Sequence, residues 1–160
     1  MRDPNRIGTA APAASSARPI HHDGTRNALG LKTKIIGVVS EKANAYLRSF
    51  TAGQVVPTNS ALTFADGVAV RVPDVKALEI IRKGAERVTE VTDDEIAEAI
   101  RTLYIATHNC AEGAGAAALA ALMKDRAQLQ GRSAAVVLTG QNIDREWMRT
   151  VLAGGTPDVR

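Results

Sequence analysis

Disulfides, aromatic clusters and membrane spans are all scarce or missing in this sequence. A single cysteine, Cys110, rules out an intramolecular disulfide and fits a reducing, cytoplasmic setting. One Trp, two Tyr and two Phe are too few to build a core, so Ala, Val, Ile and Leu must fill it. No apolar run approaches the roughly 18–20 residues needed to cross a bilayer, and the N-terminus lacks the apolar stretch of a secretory signal. A charge excess is missing too. The 160 residues carry 20 basic and 17 acidic side chains. Residues 1–33 hold Arg2, Arg6, Arg18, Arg26 and Lys32 against Asp3 and Asp23, which leaves 15 of each sign in the remainder. That neutral remainder offers no basic face for a phosphate backbone, so neither nucleic acid nor membrane is an expected partner.

Residues 1–27 are rich in Ala, Ser, Pro, Gly and Arg and show no periodicity. They are expected to be a disordered extension, because such a stretch buries too little apolar area to offset its ordering entropy. A transit peptide fits poorly, since Pro4, Pro12 and Pro19 spoil an amphipathic helix. His21-His22 in such a tail is read as an ordinary pair, not a metal site.

Periodicity starts at Lys34. The run Lys34 to Val39 has strand length, and Glu41 to Thr51 reads as a helix ended by Gly53. Residues 54–67 read as loop, Val68 to Val72 as a short extended segment, and Pro73 as the first turn of a helix carrying Val75, Leu78, Ile80 and Ile81. Arg87 to Val91 alternates like a strand. Thr92-Asp93-Asp94-Glu95 is a capping box before Ile96, Ile100, Leu103 and Tyr104. Glu112 to Lys124 is an alanine-rich helix, with Leu119, Leu122 and Met123 on its apolar side and its alanines implying a close neighbouring backbone. Ser133 to Thr139 reads as a buried strand, Gly140 as a turn, Ile143 to Leu152 as a last helix, and 153–160 as a polar tail. Strands alternating with helices indicate an α/β fold around a mostly parallel sheet.

Several segments are candidates for chemistry. Gly113-Ala-Gly115-Ala-Ala-Ala118 satisfies the dinucleotide pattern G-x-G-x-x-A, but the residues before it read as helix, and no acidic residue stands in a suitable strand end about twenty positions on. A nicotinamide site is therefore not expected. Thr139 sits where a strand runs into a turn; its hydroxyl either caps the next helix or reaches a ligand ring nitrogen. Glu112, at a helix start, either complements the helix dipole or serves a ligand. His108 and Cys110 are too few for zinc and read as a partly buried pair.

Four segments in order carry a resemblance: Ala65-Asp66-Gly67-Val68-Ala69-Val70, Val91-Thr-Asp-Asp-Glu95-Ile96, Glu112-Gly-Ala-Gly-Ala-Ala-Ala118 and Val137-Leu-Thr139-Gly-Gln-Asn-Ile-Asp144. Together they resemble the C-terminal half of the threonine and serine dehydratases of the pyridoxal-phosphate fold-type II group, over residues 28–152. Thr107-His-Asn-Cys-Ala-Glu-Gly113 is similar to the threonine dehydratase branch. The resemblance implies part of a three-layer, open, twisted and mostly parallel sheet, with pyridoxal 5'-phosphate as cofactor. By the same resemblance Thr139 bonds the pyridine nitrogen, Glu112 stands beside the ring and Gly67 lies in the segment passing it. The implied reaction is β-elimination of L-threonine to a 2-oxo acid and ammonia.

Three departures temper that expectation. None of Lys32, Lys34, Lys42, Lys76, Lys83 and Lys124 stands in the Ser-x-Lys-x-Arg setting of the family's Schiff-base lysine, so no catalytic residue is expected in this chain. Residues 1–27 contain no glycine-rich phosphate loop. Gln141 replaces the second glycine of the family's Thr-Gly-Gly-Asn turn, which would strain the backbone if that position needs positive φ. The positions matching a divalent-metal site of some relatives hold Val39 and Ala45, so no metal is expected. The chain thus reads as a truncated homologue, inert by itself, dependent on an N-terminal half supplied in trans or on a homo-oligomer, or serving as an interaction module through the apolar surface meant for the other half.

Overall fold

The run KIIGVVS alternates too little to be half-buried and too shortly to be a helix. It forms a strand covered on both faces. The computed structural model describes residues 7–9 and 24–159. Its strands are β1 (Ile7–Thr9), β2 (Lys34–Ser40), β3 (Arg87–Val91) and β4 (Ala134–Val136). They form one sheet in the order β3-β2-β1-β4, with every neighbouring pair parallel. Ile7 lies opposite Lys34 on one side and Ala134 on the other, and Val38 lies opposite Thr89. The helices are α1 (Ala45–Ala52), α2 (Val75–Gly84), α3 (Asp93–Thr107), α4 (Gly113–Lys124) and α5 (Arg145–Leu152). No helix among the described residues is long and apolar enough to cross a membrane.

Successive side chains of a strand point to opposite faces, so Val38 and Val39 enter two different cores. Val38 packs with Phe64, Val91 and the apolar sides of α3, α4 and α5. Val39 packs with Tyr46 of α1 and with Ala77, Leu78 and Ile81 of α2. Three layers result, as expected. Connection handedness explains which helices go where. The β2-to-β3 and β3-to-β4 connections cross the sheet in opposite directions, and right-handed crossovers must then lie on opposite faces.

Local signals set most of the boundaries. Gly53, at φ 77°, ends α1 with its N–H on the Ser49 carbonyl. Thr92 and Glu95 form the full reciprocal capping box of α3. Asp74 caps α2 by accepting from Ala77 N–H, so Pro73 precedes the cap and does not occupy the first turn as expected. Val68 to Val72 is not extended. Val68 N–H bonds Ala65 O and Ala69 N–H bonds Asp66 O, which closes a 3-10 turn over Asp66–Val68 and leaves no ladder to join.

Three further expectations change. Ser133 to Thr139 contributes only three residues to the sheet, and Ala134 and Ala135 are exposed. β4 pairs with the three-residue β1 alone, and that short partner limits the ladder. In the segment expected to be disordered, Ile7–Thr9 lies between β2 and β4, and residues 24–28 are helical, with Arg26 donating to Gly84 O at 2.8 Å. The other residues of 1–23, His21 and His22 included, lie outside the described residues. Residues 153–159 rest on α3: Thr156 donates to Asp94 at 2.5 Å, Arg101 donates to the carbonyls of Val151 and Gly155, and Val159 packs on the core.

Candidate functional site

The start of α4 is where three stretches of backbone meet, and its glycines make that possible. A Cβ placed on Gly113 would lie 2.8 Å from Ala65 Cα, and one on Gly115 would lie 2.1 Å from Thr139 O. The Ala65–Val68 turn therefore runs along one side of the helix end and the Thr139-Gly140 turn along the other. Both contacts are backbone, which cannot swing aside as a side chain can. The alanine side of α4, from Gly113 to Ala121, is the buried one, while Leu119, Leu122 and Met123 are half-buried at its margin.

Glu112 occupies the cap position of α4 but makes no side-chain cap hydrogen bond. Its carboxylate turns to the 140–142 segment, where Oε2 accepts from Asn142 N–H at 3.2 Å. Its own N–H donates to Gly140 O at 3.2 Å. Gly140, at φ 77°, leaves room for that carboxylate: a Cβ there would sit 2.1 Å from Glu112 Oε1. A Cβ on Gly67 would sit 2.7 Å from Ala114 Cβ and 3.6 Å from Glu112 Oε1. The structure thus brings Gly67, Glu112 and the Thr139-Gly140 turn together around one helix end.

Beside them lies a cleft of about 530 Å³ lined by Phe64, Asp66, Glu112, Gly113, Asn142, Ile143, Asp144 and Trp147. It sits toward the side where β2, β3 and β4 end, the usual ligand side of an open α/β sheet. Phe64 and Trp147 meet edge to face at 6.2 Å and form its apolar wall. Sequence reasoning missed both. Phe64 directly precedes the Ala65-Asp66-Gly67 motif and Trp147 follows Asp144 by three residues, and that adjacency was the available signal. No lysine lines the cleft. Lys34 is paired with Glu86, Lys42 with Asp93, and Lys124 with Glu95 and the Glu90 carbonyl.

The strain anticipated at Gln141 does not arise. Positive φ falls on Gly140, and among the described residues His108 is the only non-glycine with positive φ. Gln141 is exposed. His108 ends α3 in the left-handed region and is exposed, with Cys110 half-buried two residues on, in place of the partly buried pair expected. Val39 and Ala45 are core residues. Among the described residues no group of three or more His, Cys, Asp or Glu is placed to hold a metal.

One buried polar group supports the cleft from behind. Asp93, 4% exposed, accepts from Lys42 Nζ at 3.0 Å and from Thr63 Oγ1 at 2.5 Å. The hydrogen bond to Asp93, and then its charge, raise the Lys42 pKa above the usual lysine value.

Comparison with known proteins agrees with this geometry. Residues 6–140 match the family model of pyridoxal-phosphate dependent enzymes. The L-threonine ammonia-lyase of Thermotoga maritima is 32% identical over 124 residues, which are 78% of this chain and 31% of that protein. The L-threonine ammonia-lyase of Geobacter sulfurreducens is 38% identical over 122 residues, 76% of this chain and 30% of that protein. Among solved structures, a threonine deaminase from T.th. superposes with a TM-score of 0.80 at 28% identity, over 89% of this chain and 51% of that one. Isoform 2 of threonine deaminase from Solanum lycopersicum gives 0.84 at 25% identity, over 96% and 46%. The chain spans about a third of the length of these curated relatives and about half of these structures. With its parallel sheet, its glycine-bordered helix end and a family match over most of its length, the chain belongs to the pyridoxal-phosphate dependent enzymes, in the fold of the threonine deaminases.

Proposed function

We propose that this chain forms the ring-contacting wall of a site that removes the β-hydroxyl of L-threonine or L-serine, giving a 2-oxo acid and ammonia in the cytoplasm. The observation that carries this reading is the cleft of about 530 Å³ beside Glu112, at the helix end where Gly67 and Gly140 allow two turns to pack closely. That opening fits the flat face of pyridoxal 5'-phosphate. When bound, the cofactor supplies the electron withdrawal that loosens the substrate's α-proton, and the protein supplies orientation.

The chain's own residues take four parts. The Thr139 hydroxyl serves the pyridine nitrogen as a neutral hydrogen-bond partner. Glu112, held by Asn142 N–H, keeps its carboxylate at the ring edge. Gly67 lets the 65–68 turn pass without a side chain in the way. Phe64 and Trp147 exclude water from the apolar end of the cleft. The amine that captures the cofactor's aldehyde is assigned to a residue outside this wall, because no lysine lines the cleft. That missing amine also favours a second reading, in which the chain is inert.

Ammonia release separates the readings. The chain is assayed with L-threonine and pyridoxal phosphate, alone and with an N-terminal half that carries the Ser-x-Lys-x-Arg motif. The proposal expects no ammonia alone and ammonia with the added half. Ammonia from neither mixture supports the inert reading, and ammonia from the chain alone contradicts the assignment of the amine.

A further inference from the structure

We propose that Thr63 is a positioning residue of the cleft: its hydrogen bond to Asp93 fixes the Phe64 wall against Trp147. The segment 54–68 lies between α1 and α2 outside the sheet, so it has no ladder, and besides a few backbone bonds such as Thr58 N–H to Arg71 O it is tied by side chains. Its beginning is tied by Ser49, a buried residue of α1, whose hydroxyl accepts from Val56 N–H at 2.8 Å and donates to Val56 O at 3.3 Å. Its end is tied by Thr63, 4% exposed. The Thr63 hydroxyl has one proton, which it gives to Asp93 Oδ1, and it accepts from Ala65 N–H at 3.1 Å.

Asp93 is not needed where it is for the sake of its helix. Thr92 and Glu95 already complete the capping box, and Asp94 and Glu95 already place negative charge in the first turn of α3. A buried carboxylate is costly unless it is paired. Its two partners come from elements far away in sequence: Lys42 after β2, and Thr63 in the loop. Between Thr63 and Ala65, whose N–H the Thr63 hydroxyl holds, runs the backbone of Phe64, whose ring is buried and meets Trp147 at 6.2 Å. Ala65, next along, is seated on Gly113 at the start of α4. The clamp therefore sets both the aromatic wall and the turn that carries Gly67.

Trp147 is the only tryptophan of the chain, so its emission reports on this wall. Thr63→Val keeps the shape and removes the hydroxyl. It is expected to shift Trp147 emission, to raise its quenching by acrylamide, and to weaken its quenching by pyridoxal phosphate about fivefold, the effect of one lost hydrogen bond. Thr63→Ser restores all three. Unchanged emission in Thr63→Val alongside a lowered Tm would make Thr63 a purely structural residue and overturn the proposal. If Thr63→Val does not fold, Thr63→Ser decides alone: wild-type emission supports the clamp, and a shifted spectrum refutes it. The cofactor arm rests on the proposed function. Absence of pyridoxal-phosphate quenching in the wild-type chain counts against that function, while the emission and acrylamide arms still test the clamp.

Discussion

Helix α4 and strand β4 are built from much the same material, and the fold treats them oppositely. In α4, Gly113 to Ala118, Ala120 and Ala121 are all buried; in β4, Ala134 and Ala135 face solvent. Composition does not distinguish them. Position in the topology does. α4 is packed against α3, β2, β3, β4 and the 66–68 turn, whereas among the described residues β4 closes one edge of the sheet and pairs with β1 only. Small residues serve close approach in the first place and carry little constraint in the second.

That contrast sets the order of expected effects. Gly115→Ala is expected to do most damage. In an exposed helix the change would gain about 1 kcal/mol, but here the new Cβ falls 2.1 Å from the Thr139 carbonyl. A net loss of about 3 kcal/mol in urea unfolding is expected, since overpacking against backbone has no cheap relief. A gain in stability would contradict the close approach. Ala117→Leu comes next. It adds volume at a fully buried position, and about 1–3 kcal/mol should be lost. A neutral result would mean that α4 is not enclosed on that side. Ala134→Thr should do least, within about 0.5 kcal/mol, because the site is exposed and threonine suits a strand. A large loss there would place β4 inside a core, as its sequence first suggested.

Much of the fold was legible because its signals are local. The β2 run, the alternation of β3, the Thr92 to Glu95 box and Gly53 each announce one element with a few adjacent residues. β1 gave no such signal: Ile-Gly-Thr is too short to show a period, and its place comes from ladders on both sides. Glu112, Gly67 and Thr139 could be named through the family motifs, and they do gather at one helix end. Phe64 and Trp147 had only their adjacency to those motifs to mark them. They are isolated aromatics from distant parts of the sequence, and only the packing of α5 on the core brings them together. The Lys42–Asp93–Thr63 network was hidden for the same reason, since its bonds span 51 and 30 residues.

A cofactor wall with no amine of its own is the central claim, and borohydride trapping tests it directly. The chain is incubated with pyridoxal phosphate while Trp147 emission is followed, then reduced, and its peptides are mapped. Quenched emission with no lysine labelled to stoichiometry is the expected result. Stoichiometric labelling of any one of Lys32, Lys34, Lys42, Lys76, Lys83 or Lys124 would contradict it.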